Sequence, residues 1–261
     1  MRLKNSYMKT DISILIASNK PENLKAFLHS ADSTCADPER VEFVIGIDRD
    51  DDEMLNFCNT LSSKHKFLFT IIPLDNPSGD FTGLGYVYDS CFLASSLDSY
   101  FVQICNDKLR FVCQDWDRKY LSYAKTFPDD IFVVRTSKNR YHRHASSSIN
   151  CLNTPDNYRI YTRKMYSLLE GHGDYWSADT WHEPTLSILG ELGEDRQIIC
   201  DVDIFEVNSE TVSAKTSEQA SKISCAINRL LSSKYYDLTF RRIANKVLDH
   251  INSNSIEKDR N

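Results

Sequence analysis

The chain has 261 residues, 41% of them hydrophobic and 26% charged. That length fits one large domain or at most two small ones, and the composition is globular, which excludes wholesale disorder. With 31 basic against 37 acidic residues the net charge is −6, which argues against a nucleic-acid footprint.

In chain order, Asp11–Ser18 (DISILIAS) is a short β-rich run that reads as a buried strand. It ends in Asn19-Lys20-Pro21-Glu22, whose proline suits the first turn of a helix carrying Leu24, Phe27 and Leu28. A second strand at Val41–Ile47 stops abruptly at Asp48 in an acidic run to Glu53. A helix is predicted over Glu53–Lys64 and a third strand over Phe67–Pro73. Strand, helix, strand, helix, strand at this rhythm predicts a parallel sheet of βαβ units. After a loop at Asp75–Leu84 come a helix at Gly85–Leu97 and a strand at Tyr100–Cys105 that stops at Asn106-Asp107-Lys108. A helix at Trp116–Phe127 and a strand at Asp130–Thr136 follow. Tyr158–Leu169 is ambiguous between strand and helix. A helix is expected over Thr180–Leu192 and one late strand over Gln197–Val207. Beyond Val212 the pattern is helical, and Phe240, Ile243, Val247 and Ile251 form a one-sided apolar stripe. The simplest reading is one α/β domain over residues 1–211 with a helical C-terminal extension, 212–261.

Eight cysteines occur without a CxxC pair, which predicts a reducing compartment, no disulfide framework and no zinc site. Neither an apolar leader at Met1–Thr10 nor an 18-residue apolar stretch is present, so neither a signal peptide nor a membrane span is expected. The chain also lacks GxxxxGK[ST], GxSxG and HExxH.

In an open parallel sheet, ligands bind beyond the carboxyl ends of the strands. Three predicted strands here end in polar or acidic residues: Ser18-Asn19, Asp48 and Asn106-Asp107. Acids gathered at one edge suit a nucleotide's base and ribose and a divalent ion over its diphosphate. The plainer alternative is that each Asp or Asn caps a helix or starts a turn. Asp48–Glu53 lacks the glycine and distant glutamate of a calcium loop and reads mostly as a solvated helix start. His142 and His144 form an HxH in a polar stretch without nearby acids, which suits an exposed loop better than a metal.

The segment ISILIASNKPENLKAFL…VEFVIGIDRDDDE resembles the opening of family-2-type GT-A glycosyltransferases. YFVQICNDKLRFVCQDWD and EGHGDYWSADTWHEPTLSILGELG are similar to later passages of a bacterial and viral branch of that group. The resemblance covers roughly Asp11–Val207. It implies that Ala17, Ser18 and Asn19 line a nucleotide pocket and that Asp48 holds the base edge and ribose. Asn106-Asp107-Lys108 stands in place of the DxD motif that binds Mg²⁺ or Mn²⁺ over the donor diphosphate. Asn106 and Lys108 replace its two acids, leaving Asp107 as the charged ligand, and Lys108 could itself meet the diphosphate. The histidine that such enzymes often place after the last strand is missing near Glu206.

An inverting transfer needs a carboxylate to take the acceptor hydroxyl's proton. Asp179 and Asp174 are the candidates, with Asp179 preferred as an acid just before a helix, where a plain N-cap is the competing explanation. Trp176 suits stacking on an acceptor sugar or core packing. His172 and His182 flank the proposed base and are expected on the acceptor side. The expected function is a cytoplasmic transferase moving a sugar from a nucleoside-diphosphate sugar, most simply a UDP-sugar, to a glycan, lipid-linked or protein hydroxyl. Arg241, Arg242 and Lys246 beside the C-terminal stripe allow peripheral membrane contact, against the simpler alternative of packing on the domain. The rival readings are a non-catalytic sugar-binding descendant of the fold and a nucleotidyltransferase.

Overall fold

Four apolar runs build the parallel half of the central sheet in the computed structural model, which describes residues 9–75, 83–136, 158–172, 181–202, 204–206 and 237–258. They are β1 (Ile12–Ala17), β2 (Val41–Asp48), β3 (Leu68–Leu74) and β4 (Phe101–Asn106). β1 lies between β2 and β4, with Ile12 opposite both Val41 and Phe101. The connecting helices are α1 (Pro21–Thr34), α2 (Asp52–Cys58), α3 (Leu61–Lys64) and α4 (Leu84–Ala94). β5 (Leu109–Phe111), α5 (Trp116–Ser122), β6 (Val133–Arg135), β7 (Ile160–Thr162), α6 (Arg163–Leu168), α7 (Glu183–Glu191), β8 (Gln197–Ile199) and β9 (Ile204–Glu206) follow. A π-helical turn, Asp237–Arg241, leads into α8 (Arg242–Lys258).

The large sheet runs β3-β2-β1-β4-β7-β6-β8, and β5 pairs with β9 in a separate two-stranded sheet. β7 runs against both β4 and β6, while β6 and β8 are parallel, so the sheet is mostly parallel as predicted.

Strand alternation sorts the core into two layers. Ile12, Ile14, Ile16, Phe43 and Ile45 face Phe27, Phe111 and Trp116. Leu15, Val44, Val102 and Ile104 face Tyr88, Met165, Leu186 and Val247. Each such side chain contributes about 1.5–3 kcal/mol on burial. A one-residue slip would drive Ser13, Glu42 and Gly46 into the aromatic layer, so the register is firmly set. Glu42 is buried yet satisfied, accepting from Ser13 Oγ at 3.1 Å, Thr70 Oγ1 at 2.9 Å and the Ser96 amide at 2.8 Å. Gly46 lets α4 lie directly on the sheet, since a Cβ there would fall 2.4 Å from Val87 Cγ1.

Several local expectations are corrected. The helix predicted over Glu53–Lys64 is two pieces, α2 and α3, broken at Asn59-Thr60. α2 starts where the Asp51 carboxylate accepts the Met54 amide at 2.9 Å, so that part of the acidic run is a helix cap. The ambiguous Tyr158–Leu169 is both elements in turn. Thr162 ends β7, and its side chain accepts the Met165 amide at 3.2 Å to start α6. The single late strand is two, β8 and β9, which belong to different sheets. The six described cysteines are free thiols, and burial pushes Cys58 and Cys91 up to about 12, which leaves them inert as nucleophiles.

The stripe of Phe240, Ile243, Val247 and Ile251 is buried against the second layer, so that face is not open to a membrane surface. No helix among the described residues is long and apolar enough to cross a membrane. Arg242 and Lys246 instead clamp Glu170, donating to its two oxygens at 2.6 and 2.8 Å. Those hydrogen bonds, Arg242's first, hold the Glu170 carboxyl down at about 2. A depressed carboxyl stabilises the fold above its unfolded pKa and loses that contribution as pH falls through the folded one. Glu170→Gln should therefore lower the melting temperature at pH 7 and match the parent near pH 2. The pair is partly exposed, so the effect stays below about 1 kcal/mol, or roughly 2–4 °C. Equal offsets at both pH values would refute the clamp.

Candidate active site

The chain passes from β1 to β2 on one side and later returns to place β4 on the other, with Ala17 opposite both Gly46 and Asn106. Strand order reverses there, the place beyond the carboxyl ends where ligands bind in such sheets. Ser18 and Asp107 meet at this point, the Ser18 hydroxyl donating to Asp107 Oδ2 at 2.8 Å. Burial raises the Asp107 pKa, opposed by the Ser18 hydrogen bond and by Lys108, Arg110 and Lys20. Asn19 is exposed beside them. Asp48, at the end of β2, is half-buried, and its carboxylate makes no hydrogen bond or ion pair among the described residues.

Asn106 is committed at both ends. Its Nδ2 donates to the Tyr158 hydroxyl at 2.9 Å, and its Oδ1 accepts the Lys108 amide at 2.9 Å, closing the turn into β5. Arg110 Nη1 donates to the carbonyls of Asp107 at 2.8 Å and Leu109 at 2.6 Å, which ties down the same turn. β9 then closes this edge, since Glu206 pairs with Leu109. Tyr158, Arg110 and Lys20 are site residues that the sequence pattern did not single out. Tyr158 stands alone in a polar stretch, and only the β7–β4 pairing brings it over Asn106.

The Mn²⁺ or Mg²⁺ implied by the resemblance needs ionised oxygen ligands. Asp107 is 8% exposed and accepts the Ser18 hydroxyl, and it is the one carboxylate of the motif. The Asn106 oxygen is neutral and accepts the Lys108 amide, and an ammonium stands at the third position of the motif. Among the described residues no three His, Cys, Asp or Glu side chains gather into a metal-ligating group. The described donor set does not fit a divalent cation.

On the other side of β4, the loop expected to hold the base begins at Glu170-Gly171, both in the left-handed region (φ 62° and 74°). A Cβ on Gly171 would lie 2.6 Å from Asp89 Oδ2, so glycine is required there. Asp89, on α4, accepts the His172 amide at 3.1 Å and the His172 ring Nδ1 at 2.9 Å. The His172 and His182 rings lie 4.6 Å apart and are fully buried. His182 Nε2 donates to the Gly171 carbonyl at 3.0 Å, leaving Nδ1 to accept from the Tyr161 hydroxyl at 2.9 Å. Burial holds the His182 pKa well below its ordinary value, so the ring is neutral at pH 7. Both rings thus fasten Gly171-His172 to α4 and β7. Asp174, Trp176 and Asp179 lie outside the described residues, as do His142 and His144. Trp181 is buried edge-on against Phe240, 5.1 Å between ring centres.

A buried ionic group follows at Glu183. Glu183, at the start of α7, accepts from Arg135 Nη2 at 2.5 Å and lies 2.8 Å from Arg159 Nη2. Arg135 also donates to Gln197 at 2.7 Å. Glu183 therefore ties the start of α7 to β6 and to the residue that leads into β7, while Gln197 ties β6 to β8.

No protein-family model matches the chain, and no curated protein is similar to it. Solved structures are. A mannosyltransferase from Pyrobaculum calidifontis, in complex with GDP-Man and Mn²⁺, aligns with a TM-score of 0.60 over 96% of this chain and 76% of its own, at 12% identity. The fold is that of GT-A glycosyltransferases. S. aureus TarS (residues 1–349) in complex with UDP-GlcNAc aligns with a TM-score of 0.57 over 92% of this chain and 72% of its own, at 12% identity. Glucosyl-3-phosphoglycerate synthase from Mycobacterium tuberculosis, with Mn²⁺ and UDP, aligns at 0.50 over 85% and 79%, at 15% identity.

Proposed function

We propose that the chain is a glycosyltransferase that takes a sugar from a nucleoside-diphosphate donor and passes it to a hydroxyl acceptor. The observation that carries this reading is the Ser18–Asp107 contact at the strand-order reversal of a GT-A sheet. In this reading Ser18, Asn19 and the open carboxylate of Asp48 serve the nucleotide, and Asp107 with Lys108 serves the diphosphate side. The solved relatives were captured with GDP-Man, UDP and UDP-GlcNAc, which is consistent with this assignment. A UDP-sugar remains our proposed donor.

In the proposed inverting step, the acceptor oxygen attacks the anomeric carbon while the bond to the diphosphate oxygen breaks. The acceptor proton passes to a carboxylate, for which we assign Asp179 ahead of Asp174. Trp176 is assigned to the acceptor sugar, and His172 and His182 to holding the loop that carries these groups. Residues 1–211 form the catalytic unit in this reading, with 212–261 as a helical extension packed on it. Free thiols in the core fit a reducing compartment such as the cytoplasm.

The test is donor turnover with each nucleotide sugar. Asp179→Asn should lower kcat by about 10²–10⁴-fold. Asp107→Asn should cost tenfold or more in kcat/KM, about 1.4 kcal/mol. If both variants turn over the donor like the parent, the assignment is wrong. Tight donor binding by the parent with neither transfer nor hydrolysis would establish the non-catalytic alternative.

A further inference from the structure

A nucleoside diphosphate brings several negative charges to its site and develops more as the leaving group departs, so positive charge must face it. The residues around Asp107 supply that charge from the chain itself. Lys108 adjoins Asp107, is half-buried, and its ammonium makes no hydrogen bond or ion pair among the described residues. The Arg110 guanidinium is fixed across the same turn, 2.8 Å from the Asp107 carbonyl oxygen. Lys20 is exposed at the end of the β1–α1 connection, its amide 3.5 Å from the Ser18 oxygen that donates to Asp107. All three cations act on the Asp107 carboxylate.

One carboxylate therefore stands against three cations at the carboxyl ends of β1 and β4. Two of those cations have their charged ends unclaimed. A buried Asp107 cannot neutralise all of them, and with the open Asp48 at the end of β2 counted as well the cations still outnumber the carboxylates. Lys20 also occupies the N-cap position of the 14-residue α1, whose N-terminus has no side-chain cap, so the positive end of that helix points the same way. The opposite requirement, a set of ionised oxygens for a metal, is not met by the described residues, as shown above.

We propose that Lys20, Lys108 and Arg110 form a cationic cradle that holds the donor diphosphate directly, without a bridging divalent cation. Asp107 then serves to fix the Ser18 hydroxyl and the turn rather than to ligate metal. The inference rests on the glycosyltransferase reading for the identity of the donor, and the experiment separates the two. Lys108 and Lys20 have no side-chain partners among the described residues, so Lys108→Gln and Lys20→Gln should keep the parent's melting temperature without ligand.

Binding of UDP, GDP, CDP, dTDP and inorganic pyrophosphate is measured by calorimetry on the full chain, first in EDTA and then with excess Mn²⁺. The expected result is that one nucleoside diphosphate binds in EDTA, with affinity changed by less than about twofold on adding Mn²⁺. Each lysine substitution should then weaken binding by about tenfold or more, with no rescue by Mn²⁺. Binding that requires Mn²⁺, or lysine variants that bind like the parent, would overturn the cradle and leave the glycosyltransferase reading standing. Lysine-dependent binding of pyrophosphate with no nucleotide bound would support the cradle and sink the donor reading. If neither pyrophosphate nor any nucleotide binds, both fall.

Discussion

Replacing Glu183 by leucine should destabilise the fold by about 3–5 kcal/mol, the range for breaking a buried pair by removing one partner. The Glu183 side chain is 2% exposed, as is Arg159, and Arg135 is only 9% exposed. Its two oxygens divide between the two arginines, so leucine removes the one carboxylate that both guanidiniums share in a site that water barely reaches. Arg135 keeps its hydrogen bond to Gln197 and Arg159 stays beside the Tyr161 ring, and neither of these two contacts supplies a negative charge. A melting temperature lower by on the order of 10 °C is expected for a chain of this size. Urea unfolding measures the same loss directly, and a variant within about 0.5 kcal/mol of the parent would show that the group is solvated.

Trp116→Ala is the second large effect, about 3–5 kcal/mol from lost burial and the cavity left behind. Trp116 is fully buried, stacks on Phe111 at 4.2 Å, meets Tyr120 edge-on, and donates from Nε1 to the Ala31 carbonyl at 3.2 Å. It therefore joins α5, β5 and α1 at once. Phe111 belongs to β5, whose other end continues from the Asp107 turn, so the variant should also weaken ligand binding at the site. Trp116→Phe keeps the stack and should recover most of both losses. A Trp116→Ala protein as stable as the parent would mean that the layer repacks without this ring.

Legibility from sequence followed burial. β1, β2, β3 and β4 were readable because strands covered on both faces are near-continuous apolar runs. β6, β7, β8 and β9 have three residues each, too few for alternation to declare itself. Gln197–Val207 looked like one strand because nothing local announces that Cys200-Asp201-Val202 carries the chain from one sheet to another. At the site, the polar ends of β1, β2 and β4 were visible, but the contact between Ser18 and Asp107 depends on strand order, which no local pattern encodes. Asp89 and Tyr158 escaped notice for the same reason, since each acts across the sheet on a partner far away in sequence. The acceptor-side acids rest on resemblance alone.

The pairing of β5 with β9 has a temporal consequence. The four parallel strands are complete once Asn106 has emerged from the ribosome, and β5 follows within a few residues. Its partner is made roughly a hundred residues later, a delay on the order of 5–20 s at ordinary elongation rates. During that interval the Asp107 turn stands at an open strand edge, so this end of the sheet waits for a segment made long after β1 and β4.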